Sequence, residues 1–184
     1  MSLYRKHFSQ NINRTRVYIA ADFDHDRDAV EQLKKWNDGH YWSLHFSNAH
    51  DLQSSRDTSL PCSIKSSLHY RMSGSKLFVL IVGEHTANLT KGSCQGCHSY
   101  NSWNKYCVRG NTVDFRSYVK YECDQALKAN IPIIALYKNT EKDLSKCPES
   151  NLERAVHVPL LYWKQGVLCW DYQAVKNVFE KILK

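Results

Sequence analysis

The chain has 184 residues, 42% of them hydrophobic and 23% charged, with a net charge of +7; this is the composition of a globular protein long enough for one domain with a real core. Its longest apolar run, LFVLIVG at residues 77–83, is far too short to cross a membrane. The basic start MSLYRKHFSQNINRTR lacks the apolar core of a secretory signal, so a cytoplasmic chain without a membrane partner is expected.

Residues 1–15 read as a polar leader and residues 16–184 as a single domain. RVYIAAD (16–22) has the apolar content of a buried strand. HDRDAVEQLKKWN follows as a helix with Ala29, Leu33 and Trp36 on one face, acidic at its start and basic at its end. YWSLHFS (41–47) is the next strand, and a polar loop at 48–59 leads to Pro61 in a first helical turn. Ile64, Leu68 and Met72 then recur every fourth residue. KLFVLIVG, apolar on both sides, has the pattern of a central parallel strand. An insert rich in cysteine occupies roughly 84–114. FRSYVKYECDQALKAN predicts a helix with Val119, Cys123, Ala126 and Leu127 inward, and IPIIALY another buried strand. A strand in VHVPLLYW and a helix lined by Val175, Val178, Phe179 and Ile182 close the chain.

Strands alternating with helices at this spacing imply right-handed crossovers and a flavodoxin-like α/β three-layer sandwich around a central parallel sheet. Its core is expected to include Tyr18, Phe46, Val79, Leu80, Ile133 and Ile134. Ligands of such sheets bind beyond the carboxyl ends of the strands, where the 22–26 segment, the 48–59 loop and the insert meet.

Seven cysteines, an odd number without a secretion signal, predict free or metal-bound thiols over a disulfide framework. In GSCQGCHSYNSWNKYC (92–107), Cys94, Cys97 and Cys107 supply three thiolates for a structural zinc, with His98, His85 or Cys123 as the fourth ligand. Against this stands an ordered loop of reduced thiols. Asp22, Asp24, Asp26 and Asp28 read as a helix start capped by Asp24 or Asp26. The strand tip Val82-Gly83-Glu84 lacks the aspartate that a phosphoacceptor site needs. No P-loop or GxGxxG is present. The basic excess reads first as a solvated basic surface, next as favouring an anionic ligand such as a dinucleotide, and nothing announces nucleic acid. In YVKYECDQAL, Tyr118 and Glu122 lie one turn apart, which places the carboxylate at the edge of the core. Such a pair can hydrogen-bond sugar hydroxyls and stabilise positive charge on a ribose; against this stands a surface glutamate beside Lys120 or Arg116, the reading this segment alone favours.

Taken together, RVYIAADFDHD, SIKSSLHYRMSGSKLFVLIVGEHT and YVKYECDQALKANIPIIALY resemble the TIR-like family over about residues 16–137. Within it they are similar to the ThsB-type proteins of bacterial Thoeris antiphage defence. The resemblance implies signal transduction by cleavage of NAD at the nicotinamide–ribose bond, giving ADP-ribose or a cyclic ADP-ribose signal for an effector. It assigns the catalytic role to Glu122, in an aromatic-xxx-Glu motif where Tyr118 stands in place of the usual tryptophan. It assigns the nicotinamide end of the site to Asp22, Phe23 and Asp24, and self-assembly to the 48–59 loop. NAD is then the substrate, and no cofactor is required. The cysteine-bearing insert departs from the compact TIR pattern. The alternative is a non-catalytic TIR-like module acting by protein–protein association.

Overall fold

A computed structural model of the chain describes residues 16–41, 45–48 and 59–183, with side chains described outside residues 40–58. The 1–15 leader and most of the 48–59 loop therefore lie outside the described residues. In chain order the elements begin with β1 (Arg16–Ala20), α1 (Arg27–Trp36), β2 (His45–Asn48), α2 (Pro61–Ser73) and β3 (Ser75–Val82). Two short strands in the insert follow, β4 (Tyr100–Asn101) and β5 (Tyr106–Cys107). Then come α3 (Tyr118–Lys128), β6 (Ile133–Tyr137), β7 (Ala155–Pro159), β8 (Leu161–Lys164), β9 (Val167–Trp170) and α4 (Tyr172–Leu183).

The main sheet has five strands in the order β2-β1-β3-β6-β7, and every neighbouring pair is parallel. This is the doubly wound arrangement, with the chain stepping first to one side of β1 and then to the other. Side chains alternate between the two faces. Val17, Ile19, Val79 and Ile134 pack against α1 and α4, through Leu33 and Phe179 among others. Tyr18, Phe78, Leu80 and Ile133 face Met72 of α2 and Val119, Cys123 and Ala126 of α3. The expected core residues Tyr18, Val79, Leu80, Ile133 and Ile134 are all buried. Phe46 lies in β2 with its side chain outside the described residues.

Local chemistry moved several boundaries. The α3 helix begins at Tyr118 and not near Phe115, because the Ser117 hydroxyl accepts a hydrogen bond from the Lys120 amide at 3.2 Å and caps it. Residues 155–164 form two strands in two sheets: β7 joins the main sheet, while β8 pairs antiparallel with β9. Gln165 and Gly166, at φ 49° and 78°, make the left-handed two-residue turn that such a hairpin favours.

In α2 it is Lys65 that is buried, 3% exposed, while Ile64 is half-buried. The Lys65 ammonium donates to the carbonyls of Asp114 at 3.1 Å and Arg116 at 2.7 Å. It also lies 3.4 Å from the Asp114 carboxylate. Arg116 in turn bonds Asp114 at 2.6 Å and Asp124 at 2.7 Å. Lys65 thus fastens the end of the insert to α2 and sets where α3 starts. Lys65→Ala would leave the Arg116 carbonyl without this donor, while the Asp114 carbonyl keeps the Cys94 amide at 3.0 Å; the cost is roughly 1–3 kcal/mol. The melting temperature should fall by about 3–10 °C; an unchanged thermal denaturation curve would dismiss the anchor.

Candidate functional site beneath the strand rim

The spacing of α3 decides where its acid goes. Residues 119, 122, 123 and 126 share one helical face, and Val119, Glu122, Cys123 and Ala126 are all buried. Glu122 is 2% exposed. Beneath it Tyr18, on the facing side of β1, donates its hydroxyl proton to Glu122 Oε1 at 2.5 Å and stacks on Phe78 with ring centroids 5.8 Å apart. Burial pushes the Glu122 carboxyl up to about 8, against the Tyr18 hydrogen bond, which favours the ionised form. The Tyr18 phenol is likewise raised, by burial first and by the neighbouring carboxyl second. Glu122 is therefore mainly a neutral acid at pH 7, inside the core and not at its edge.

Above this pair lies the rim. Asp22, 5% exposed, binds His25 Nδ1 at 2.7 Å and accepts the Asp24 amide at 3.1 Å. Phe23 between them is 38% exposed. Asp24 forms an exposed ion pair with Lys91 at 3.0 Å. The Lys91 carbonyl accepts the Tyr118 amide at 2.9 Å, so one residue ties the first loop to the start of α3. The half-buried Tyr118 ring lies over Gly92, whose φ of +97° suits glycine and whose added Cβ would enter the ring's space.

The expected capping carboxylates behave otherwise. Asp26 stands at the helix N-cap position but makes no side-chain cap bond. Its carboxylate packs over Gly83, where a Cβ would overlap it. Burial raises it to about 6, opposed by Lys138 at 3.8 Å. The His25 and His85 rings meet edge to face at 4.7 Å.

Cys94, Cys97 and Cys107 are free thiols. Among the described residues no group of three or more His, Cys, Asp or Glu side chains is placed to hold a metal ion. The candidate fourth ligands lie apart from one another: His98 is exposed, His85 stands against His25, and Cys123 is in the core. What joins Cys94, Cys97 and Cys107 around one small cavity is Cys62 of α2. Its position far upstream carries no spacing signal, so the sequence alone did not single it out.

Residues 18–91 match the family model of the Thoeris protein ThsB, TIR-like domain. The matched span runs from β1 through β3 to Lys91, so it includes the first loop; Tyr118 and Glu122 lie beyond it. No curated protein matches the chain. Among the described residues no helix is long and apolar enough to cross a membrane.

The buried acid has a thermodynamic consequence. Its folded value of about 8 exceeds the ordinary 4.5, so between these pH values the unfolded chain sheds a proton that the folded chain keeps. Stability must then fall as pH rises from about 4.5 to 8. Glu122→Gln, which retains an acceptor for Tyr18 but cannot ionise, should be near neutral at pH 4.5 and stabilising at pH 8, by at least about 5 °C. Melting curves at the two pH values test this; equal differences at both would contradict the buried-acid assignment.

Proposed function

We propose that this TIR-like protein cleaves the nicotinamide–ribose bond of NAD, with Glu122 as the catalytic carboxylate. The reading is supported above all by an acid held inside the fold on α3 and bonded to Tyr18, on the strand that leads into the Asp22–Asp26 loop, since ligands of doubly wound sheets bind beyond the carboxyl ends of the strands. As the bond breaks, its electron pair leaves with nicotinamide and positive charge grows on the ribose. A carboxylate in a low-dielectric setting stabilises that charge far better than one in water. The cationic nicotinamide riboside also favours ionisation of Glu122 and so offsets the cost of its burial. Water then adds to the ribosyl carbon and releases a proton, giving ADP-ribose. Alternatively, a nucleophilic atom of the adenine end closes a cyclic ADP-ribose signal for an effector.

Asp22, Phe23 and Asp24 would receive the nicotinamide end, and Tyr118 would shape the entrance. Admission of NAD to Glu122 requires the rim to part; the Lys91–Asp24 ion pair and the Tyr118–Gly92 contact are what hold it shut. Assembly through the 48–59 loop, outside the described residues, is the expected trigger. No metal or redox cofactor takes part in these steps. The depth of Glu122 also favours a second reading, a non-catalytic module acting by association, in which the acid only positions α3.

Chromatography of NAD incubated with concentrated protein separates the two. Nicotinamide release should fall roughly 10²-fold in Glu122→Gln. In the wild type, kcat/KM should rise with pH and level off above about 8 as the free carboxyl ionises, and this dependence should vanish in the variant. Equal release by both proteins refutes the site, whereas no release by either under assembling conditions favours association.

A further inference from the structure

The insert is held in place with almost no apolar core. Within residues 84–114 the buried positions are Thr86, Ser93, Cys94 and Ser99. Strands β4 and β5 are two residues each, and Trp103 between them is 93% exposed. Segments that bury so little apolar surface are ordered by cross-links or metals.

The cysteines are distributed accordingly. Of the seven, Cys123 and Cys147 sit in the core beside α3 and Cys169 lies on β9. The other four line one cavity of about 10 Å³ together with Pro61 and Tyr100. They come from three different local structures. Cys62 is in the first turn of α2. Cys94 and Cys97 flank one tight turn, closed by the Cys97 amide on the Cys94 carbonyl at 3.0 Å. Cys107 lies on β5, opposite Tyr100. Cys94 Sγ accepts the Asp114 amide at 3.3 Å. Lys65, buried one turn along α2 from Cys62, lies near enough to attract that sulfur.

We propose that Cys62, Cys94, Cys97 and Cys107 are the four ligands of one structural zinc ion that staples the insert to α2. Four thiolates at about 2.3 Å leave no open position, so the ion orders the chain and takes no part in catalysis. The thiols line the cavity without converging on one point; binding draws them together by side-chain rotation. The net charge of −2 on a tetrathiolate zinc is partly offset by Lys65. Cys62 gives the site its purpose, because without it the remaining ligands would only close the insert on itself.

The test uses the full chain, expressed with zinc and purified under reducing conditions without chelator. Elemental analysis should give about one zinc per chain. Cobalt(II) added to the demetallated, reduced chain should produce thiolate-to-metal charge-transfer absorption. Alkylation with peptide mapping should find these four cysteines protected together and released together by chelator. Cys62→Ser should lose the ion, while Cys169→Ser should keep it. A reduced wild-type chain that takes up neither zinc nor cobalt with thiolate absorption overturns the proposal. So does a folded Cys62→Ser protein that retains full zinc. If Cys62→Ser fails to fold, the wild-type cobalt spectrum and the alkylation map decide.

Discussion

The hydrogen bond between Tyr18 and Glu122 is a polar constraint set inside the apolar core. It joins β1, central to the sheet, to α3, the helix that follows the insert. An ionised carboxylate in that position would lack the hydration it has in water, and one phenol cannot replace it. The acid is consequently held neutral, and α3 can settle on the sheet with Val119, Cys123 and Ala126 around it. Any chemistry by Glu122 as a carboxylate begins with loss of that proton, which a higher pH or the charge of a bound cation favours. The arrangement resembles other buried acids in that apolar surroundings, more than neighbouring charges, set the proton affinity.

The rim and the insert share their supports. Lys91 bonds the first loop with its ammonium and the first turn of α3 with its carbonyl. At the very next residue, Gly92 yields its side-chain space to Tyr118. Below them, Lys65 captures two carbonyls at the other end of the insert. Both ends of the insert are therefore fastened to the helices that border Glu122.

Much of the fold was legible in the sequence because its signals are periodic. KLFVLIVG is apolar on both faces, and only a strand covered on both sides tolerates that; the chain supplied helices of the right spacing to cover it. The aromatic-xxx-Glu motif on α3 was likewise visible, as was the rim segment with Asp22 and Phe23. Other features depended on distant partners. Spacing placed Glu122 near the inward stripe, but whether it sat at the edge or inside turned on Tyr18 lying across from it. Nothing local marks Lys65 as buried, since its partners are carbonyls about fifty residues away. Asp26 has the sequence of a cap, yet it is drawn to Gly83, where the lack of a side chain gives it room.

The sequence by itself determined the parallel α/β architecture, the apolar strands and the helix faces, because each follows from residues within a few positions of one another; Glu122 was singled out by the family resemblance. Tertiary structure decided the acid's protonation, the start of α3, the division of residues 155–164 between two sheets, and the meeting of Cys62 with the insert's thiols. Those outcomes depend on which side chains approach across tens of residues, and burial then fixes their charge and hydrogen bonding.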